Sequence, residues 1–119
     1  MKTLVFGASL KEERYSNKAI KTLRKHKIET VAFGMSLGFV LDVAIDNELR
    51  YYENLDTITL YLNSKRQKGY YDHIISLNPR RVIFNPGTEN PEFYQLLKAR
   101  NIAYEEACTL VLLATGQYD

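Results

Sequence analysis

With a single cysteine, Cys108, the chain can form no internal disulfide, so its fold must hold by burial alone. No stretch approaches the roughly 20 apolar residues that span a bilayer. The start, Met1-Lys2-Thr3-Leu4-Val5-Phe6-Gly7, is too short an apolar run for a secretory signal. A soluble, cytoplasmic protein is expected. Charge of one sign is also scarce: 16 Lys and Arg stand against 14 Asp and Glu, a formal +2 scattered along the chain. That excess is too small to hold nucleic acid by counterion release, so neither a nucleic-acid nor a membrane partner is expected. No Cys or His pair has ligand spacing, and Glu12-Glu13 and Glu105-Glu106 read as solvated charge, so no metal site is expected.

What is present suits one globular domain over residues 1–119, with 12% aromatic residues and a size that buries roughly two thirds of the unfolded surface. Thr3-Leu4-Val5-Phe6 is apolar without alternation, as in a parallel strand covered on both faces, and it breaks at Gly7-Ala8-Ser9. Ser16 or Asn17 is expected to cap a helix in which Ala19, Ile20 and Leu23 form the apolar stripe, ending near Lys27. Glu29 to Phe33 reads as a second strand closing at Gly34. Residues 34–55 are punctuated by Gly34, Gly38, Asp42, Asp46 and Asn47, which predicts a loop with one short edge strand at Phe39-Val40-Leu41. Thr57 to Tyr61 is the next full strand, followed from Ser64 by a helix burying Tyr70 or Tyr71, Ile74 and Ile75. Arg81 to Phe84 is a strand, Pro91 to Arg100 a helix opened by Asn90-Pro91, Ile102 to Glu105 a last strand, and Ala107 to Thr115 a buried helix ending at Gly116. Strands alternating with helices predict a three-layer, Rossmann-like, doubly wound α/β domain with a mostly parallel sheet.

In such sheets a ligand binds beyond the carboxyl ends of the strands. Four loops meet that description: Gly7-Ala8-Ser9, Gly34-Met35-Ser36, Leu62-Asn63-Ser64 and Asn85 to Asn90. Gly7 allows a tight turn, Ala8 a close approach and Ser9 a hydroxyl beside free amides at the positive end of the first helix, a corner suited to a diphosphate. The dinucleotide pattern G-x-G-x-x-G is missing, and Phe33-Gly34-Met35-Ser36 has no acidic residue for a ribose, which disfavours a plain NAD site. The Walker lysine pattern is absent as well. Catalytic groups are few, and no catalytic residue is assigned. His26 and His73 lie on helices as structural residues, and Cys108 sits in an apolar run as a small buried hydrophobe. The tyrosine pairs Tyr51-Tyr52 and Tyr70-Tyr71 are expected half in the core, with one of them available to stack on an adenine.

Taken together, Gly7-Ala8-Ser9, Arg14-Tyr15-Ser16-Asn17, "FNPGTENPE" at 84–92 and "ACTLVLLATGQY" at 107–118 resemble the small, single-domain coenzyme A (CoA)-binding proteins, related to the CoA-binding part of succinyl-CoA synthetase. The resemblance spans nearly the whole chain. It implies that Gly7, Ala8 and Ser9 with Asn17 hold the diphosphate and that Arg14 meets a phosphate group; on charge alone, Lys18 or Lys11 is expected to help Arg14 meet the remaining phosphate charge. Gly34-Met35 and Leu62-Asn63 would flank the adenine and the pantetheine arm. Many members carry Val-Asn-Pro after the second strand and a proline-rich turn after the later one, and this chain departs from both. Turn chemistry accounts for Asn85-Pro86, Gly87 and Asn90, which leaves Thr88 and Glu89 either to contact the pantetheine end or to bond locally. The expected cofactor is CoA or a short acyl-CoA, bound through Gly7, Ala8, Ser9, Arg14, Asn17, Gly34, Met35, Leu62, Asn63, Asn85, Gly87 and Thr88. The rival readings are a nucleotide-dependent, NAD(P) oxidoreductase-like enzyme and a protein-interaction module on the same fold. The final apolar segment or the tyrosine-rich helix would serve a homodimer or a monomer's core equally.

Overall fold

A computed structural model describes residues 1–119. The strands are β1 (Lys2–Ala8), β2 (Glu29–Gly34), β3 (Gly38–Val40), β4 (Val43–Asp46), β5 (Leu55–Leu60), β6 (Arg81–Phe84) and β7 (Ala103–Glu106). The helices are α1 (Tyr15–Lys25), α2 (Ser64–Gln67), α3 (Tyr71–Ser76), α4 (Pro91–Ala99) and α5 (Thr109–Ala114), with a 3-10 turn, Lys68–Tyr70, joining α2 to α3. They form one α/β domain around a seven-stranded sheet in the order β3-β4-β2-β1-β5-β6-β7. All neighbouring strands are parallel except the β3/β4 pair.

The unalternating apolar runs have the expected cause: both faces of the sheet are covered. On β1, Leu4 and Phe6 join one core with Ile58, Leu60, Ile74, Phe84, Phe93 and Leu97, which places α3 and α4 on that face. Val5 and Ala8 point the other way, into a core with Ile20 and Leu23 of α1 and Leu113 of α5. A β-strand's period of two thus divides one run of sequence between two cores.

The structure corrects the sequence reading in four places. Residues 34–55 hold two strands, not one: β3 turns back on β4 as a hairpin, and β4 adds to β2 in parallel through Ala32↔Ile45 and Phe33↔Asp46. Neither Ser16 nor Asn17 caps α1, because Arg14 is the cap residue and both polar side chains are buried within the first turn. The helix from Ser64 is broken into two short helices around the 3-10 turn, and Gly69 lies in that turn. The final helix is Thr109–Ala114 with only Thr109 and Leu113 buried, not a buried helix over Ala107 to Thr115, and the chain goes on packing beyond it. Tyr118 is buried, its hydroxyl 2.5 Å from Thr3 Oγ1. Its ring lies 4.6 Å from the Arg81 guanidinium carbon, and its carbonyl accepts a hydrogen bond from the same side chain. Arg81 is itself buried, donating to Thr57 Oγ1 at 2.9 Å and Glu105 Oε1 at 3.1 Å, so the tail is stitched across β1, β5, β6 and β7.

Candidate functional site

Strand order reverses between β1 and β5: β1 leads to β2 and β4 on one side, whereas β5 leads to β6 and β7 on the other. Loops leaving the carboxyl ends diverge at such a point and leave a crevice. Here it is a cleft of about 670 Å³.

One wall is the corner from β1 into α1. Gly7 has φ +101°, and a Cβ there would sit 3.1 Å from the Tyr61 carbonyl carbon and from Leu62 Cδ2. At this residue the β1/β2 register slips, from Phe6↔Phe33 directly to Ala8↔Gly34. The chain therefore bulges at the strand end, as glycine permits and a branched residue would resist. Gly34 is constrained differently: a Cβ would meet the Ala8 carbonyl oxygen at 2.2 Å, so β1 and β2 close up only because it is glycine. Asn17 clamps the corner from behind, donating from Nδ2 to the Ser9 carbonyl at 2.9 Å, while Ser9 Oγ accepts from the Lys11 amide at 3.1 Å. The first turn of α1 has no side-chain cap, and the amides of Tyr15 and Ser16 have no acceptor in the protein. Both residues line the cleft, so the partial positive charge of an 11-residue helix opens into it.

The opposite wall comes from the other face of the sheet. Asn63 Oδ1 accepts from the Arg66 amide at 3.0 Å and fixes the start of α2. Gln67 is fully buried; its Nε2 donates to Leu62 O at 2.8 Å and Thr88 O at 2.7 Å, and its Oε1 accepts from Asn90 Nδ2 at 2.9 Å. The base is aromatic: Phe33 and Tyr70 line the cleft with centroids 5.7 Å apart at 68°. Tyr61 lines it too, half-buried, with its phenol pushed up to about 12 chiefly by burial.

The charge is one-sided. Lys11, Arg14 and Arg66 line the cleft without a single carboxylate, imidazole or thiol among the lining residues, and none of the three cations is in an ion pair. Such a surface attracts an anion.

Of the residues singled out in the sequence, Gly7, Ala8, Ser9, Arg14, Gly34, Met35, Leu62, Asn63, Gly87 and Thr88 are brought together around this cleft. Asn17 and Asn85 are not in its lining. Asn85 spends its side chain inside, donating to Thr59 Oγ1 at 2.7 Å and Leu60 O at 2.8 Å and accepting from the Thr109 amide at 2.9 Å. Thr88 Oγ1 donates to the Asn85 carbonyl at 2.8 Å, and Glu89 accepts from the Gly87 amide at 2.9 Å. Thr88 and Glu89 therefore both have local bonds, though Thr88 still borders the cleft. Lys11 lines the cleft and Lys18 does not; Lys18 lies over the Tyr15 ring at 5.3 Å. Arg66 and Tyr61 are lining residues that the sequence reading did not name. The signal for Arg66 was its place three residues beyond Asn63, a helix-capping residue at the end of a central strand.

Residues 1–114 match the family model described as a CoA binding domain. The chain belongs to the CoA-binding domain family. Among curated proteins none matches it. The crystal structure of an uncharacterised protein superposes on this CoA-binding domain with a TM-score of 0.94 at 43% identity, covering 98% of this chain and 96% of the other. A protein of Thermus thermophilus superposes at 0.87 with 17% identity, covering 98% of this chain and 89% of that one. A conserved hypothetical protein from Pyrococcus furiosus superposes at 0.82 with 19% identity, covering 92% and 97%. At such identities the last two share the fold with the CoA-binding domain, and the likeness extends no further.

Proposed function

We infer that this protein binds CoA, or a short acyl-CoA, in the cleft at the carboxyl edge of its sheet. The observation that carries this reading is the charge of the cleft: three unpaired cations, no carboxylate and the open head of α1, in a chain of the CoA-binding domain family. CoA carries a diphosphate and a further phosphate monoester, and a group with that much negative charge suits such a lining.

Each residue has a physical task in this reading. The corner Gly7-Ala8-Ser9 lets backbone approach the diphosphate, the free amides of Tyr15 and Ser16 donate to it, and Arg14 with Lys11 balances its charge. Asn17 and Asn85 act from behind, holding the Ser9 corner and the Asn-Pro-Gly loop in place. Gly34, Met35, Leu62, Asn63, Gly87 and Thr88 form the rim along which the rest of the nucleotide and the pantetheine arm lie. When bound, CoA supplies a thiol that carries acyl groups as thioesters; the role read for the protein is to hold and orient it.

Thermal-shift titration with CoA, acetyl-CoA, dephospho-CoA, NAD and FAD tests the reading, since a ligand that binds only the folded state raises its Tm. CoA and acetyl-CoA are expected to raise the Tm in a saturable manner, and NAD and FAD are not. A shift with NAD and none with CoA would replace this reading by that of a dinucleotide enzyme.

A further inference from the structure

We propose that Arg66 and Tyr70 form the subsite for the 3′-phosphoadenosine end of CoA, Tyr70 stacking on the adenine and Arg66 meeting the 3′-phosphate, so that this pair distinguishes CoA from dephospho-CoA. The inference rests on the CoA reading above and assigns one end of the ligand to one wall.

The two walls divide the cations. Lys11 and Arg14 belong to the same corner as the open helix head, and they suffice for a diphosphate. Arg66 reaches the cleft from the opposite face of the sheet, in the first turn of the four-residue α2, and no other lining cation lies on that side. Its side chain makes neither an ion pair nor a hydrogen bond within the protein, yet its backbone is firmly placed. Asn63 caps its amide at 3.0 Å, and the next residue, Gln67, is fully buried and bonded to three partners. A guanidinium held out from an anchored turn is suited to a phosphate monoester, whose oxygens match its fork of donors.

Tyr70 supplies the neighbouring flat surface. It lies four residues beyond Arg66, at the end of the 3-10 turn that follows α2. Both line the cleft. The Tyr70 ring is half-buried and held by Phe6, 5.2 Å away at 73°, and by Phe33, 5.7 Å away at 68°. A fixed aromatic face beside a free guanidinium complements a base and a phosphate joined through one ribose. Stacking on such a face tolerates any base, so the phosphate contact carries the discrimination.

Calorimetric titrations of the wild type, Arg66→Gln, Arg66→Lys and Tyr70→Leu with CoA and with dephospho-CoA test this. Wild type is expected to prefer CoA. Arg66→Gln should weaken CoA about ten- to hundredfold, the loss of one charge-assisted hydrogen bond, and leave dephospho-CoA nearly unchanged. Arg66→Lys should recover part of the preference, and Tyr70→Leu should weaken both ligands by similar factors. Arg66 is exposed, so its variants should melt at the wild-type temperature without ligand. They carry the test should Tyr70→Leu fail to fold. Equal weakening of both ligands by Arg66→Gln, or no change in either, would overturn the proposal while leaving CoA binding intact. A wild type that binds neither ligand would overturn the CoA reading and the subsite with it.

Discussion

The buried Gln67 Nε2 donates to the Thr88 carbonyl oxygen at 2.7 Å, tying the turn after β5 to the loop after β6. Two loops distant in sequence thereby become one wall. Gln67→Leu keeps the volume and strands Leu62 O and Thr88 O. It should cost about 3 kcal/mol or more, since each buried group left without a partner costs about 1–3 kcal/mol. Urea denaturation with an unchanged m-value checks it, and stability within experimental error of wild type would show that the strut is dispensable.

Gly34 is expected to tolerate no side chain. The group facing its absent Cβ is the Ala8 backbone carbonyl at 2.2 Å, which cannot rotate away as a side chain could. Gly34→Ala should force β1 and β2 apart at the rim of the cleft and destabilise by about 1–3 kcal/mol, in the range of overpacked cores. Thermal unfolding measures this directly; an unaltered Tm would mean that the strand ends yield freely.

Asp56 provides a pH dependence with a definite sign. The Arg80 guanidinium, bonded to it at 2.7 Å and 3.0 Å, holds its carboxyl below the ordinary value of 3.8 against some burial. Because the folded pKa is the lower one, the stabilisation is complete above the unfolded value and is lost as the pH falls through the folded one. Arg80 is largely solvated, so the pair should contribute about 1 kcal/mol at neutral pH. Asp56→Asn should show that deficit at pH 7 and a progressively smaller one as the pH falls below 3.8 in denaturant titrations. A deficit that persists unchanged in acid would assign it to packing.

How much of this was legible in the sequence depended on whether a residue's partners were local. Leu4 to Phe6, Thr57 to Leu60 and Arg81 to Phe84 announce buried parallel strands by composition alone, and Asn90-Pro91 announces α4, where Asn90 Oδ1 accepts from the Phe93 amide at 3.3 Å. The glycine corner and the other three loops of the rim were placed by the rule that ligands sit at carboxyl ends. Long-range partners were invisible. Asn17 reads as a cap until the Ser9 carbonyl claims its amide. Val43 to Asp46 alternates buried and exposed, a strand pattern, but it is bracketed by Asp42 and Asn47 and gains its place only by pairing with β2. Tyr118 becomes a core residue solely because Thr3 and Arg81, far away in the chain, supply its polar partners.

Arg14 should matter for binding and hardly at all for folding. It lines the cleft without an ion pair, so Arg14→Ala removes a cation from the phosphate corner and no partner within the protein. CoA affinity should fall by about 1.5–3 kcal/mol, the range of a hydrogen bond to a charged group, with the ligand-free Tm unchanged. Calorimetric titration reads the first and thermal unfolding the second; unchanged affinity would remove Arg14 from the site.

The most direct test is a crystal grown with excess CoA. Electron density for the diphosphate is expected against Gly7, Ala8 and Ser9, within hydrogen-bond reach of the Tyr15 and Ser16 amides at the head of α1. CoA bound elsewhere, or that corner filled by the protein's own side chains in the presence of the ligand, would contradict the account.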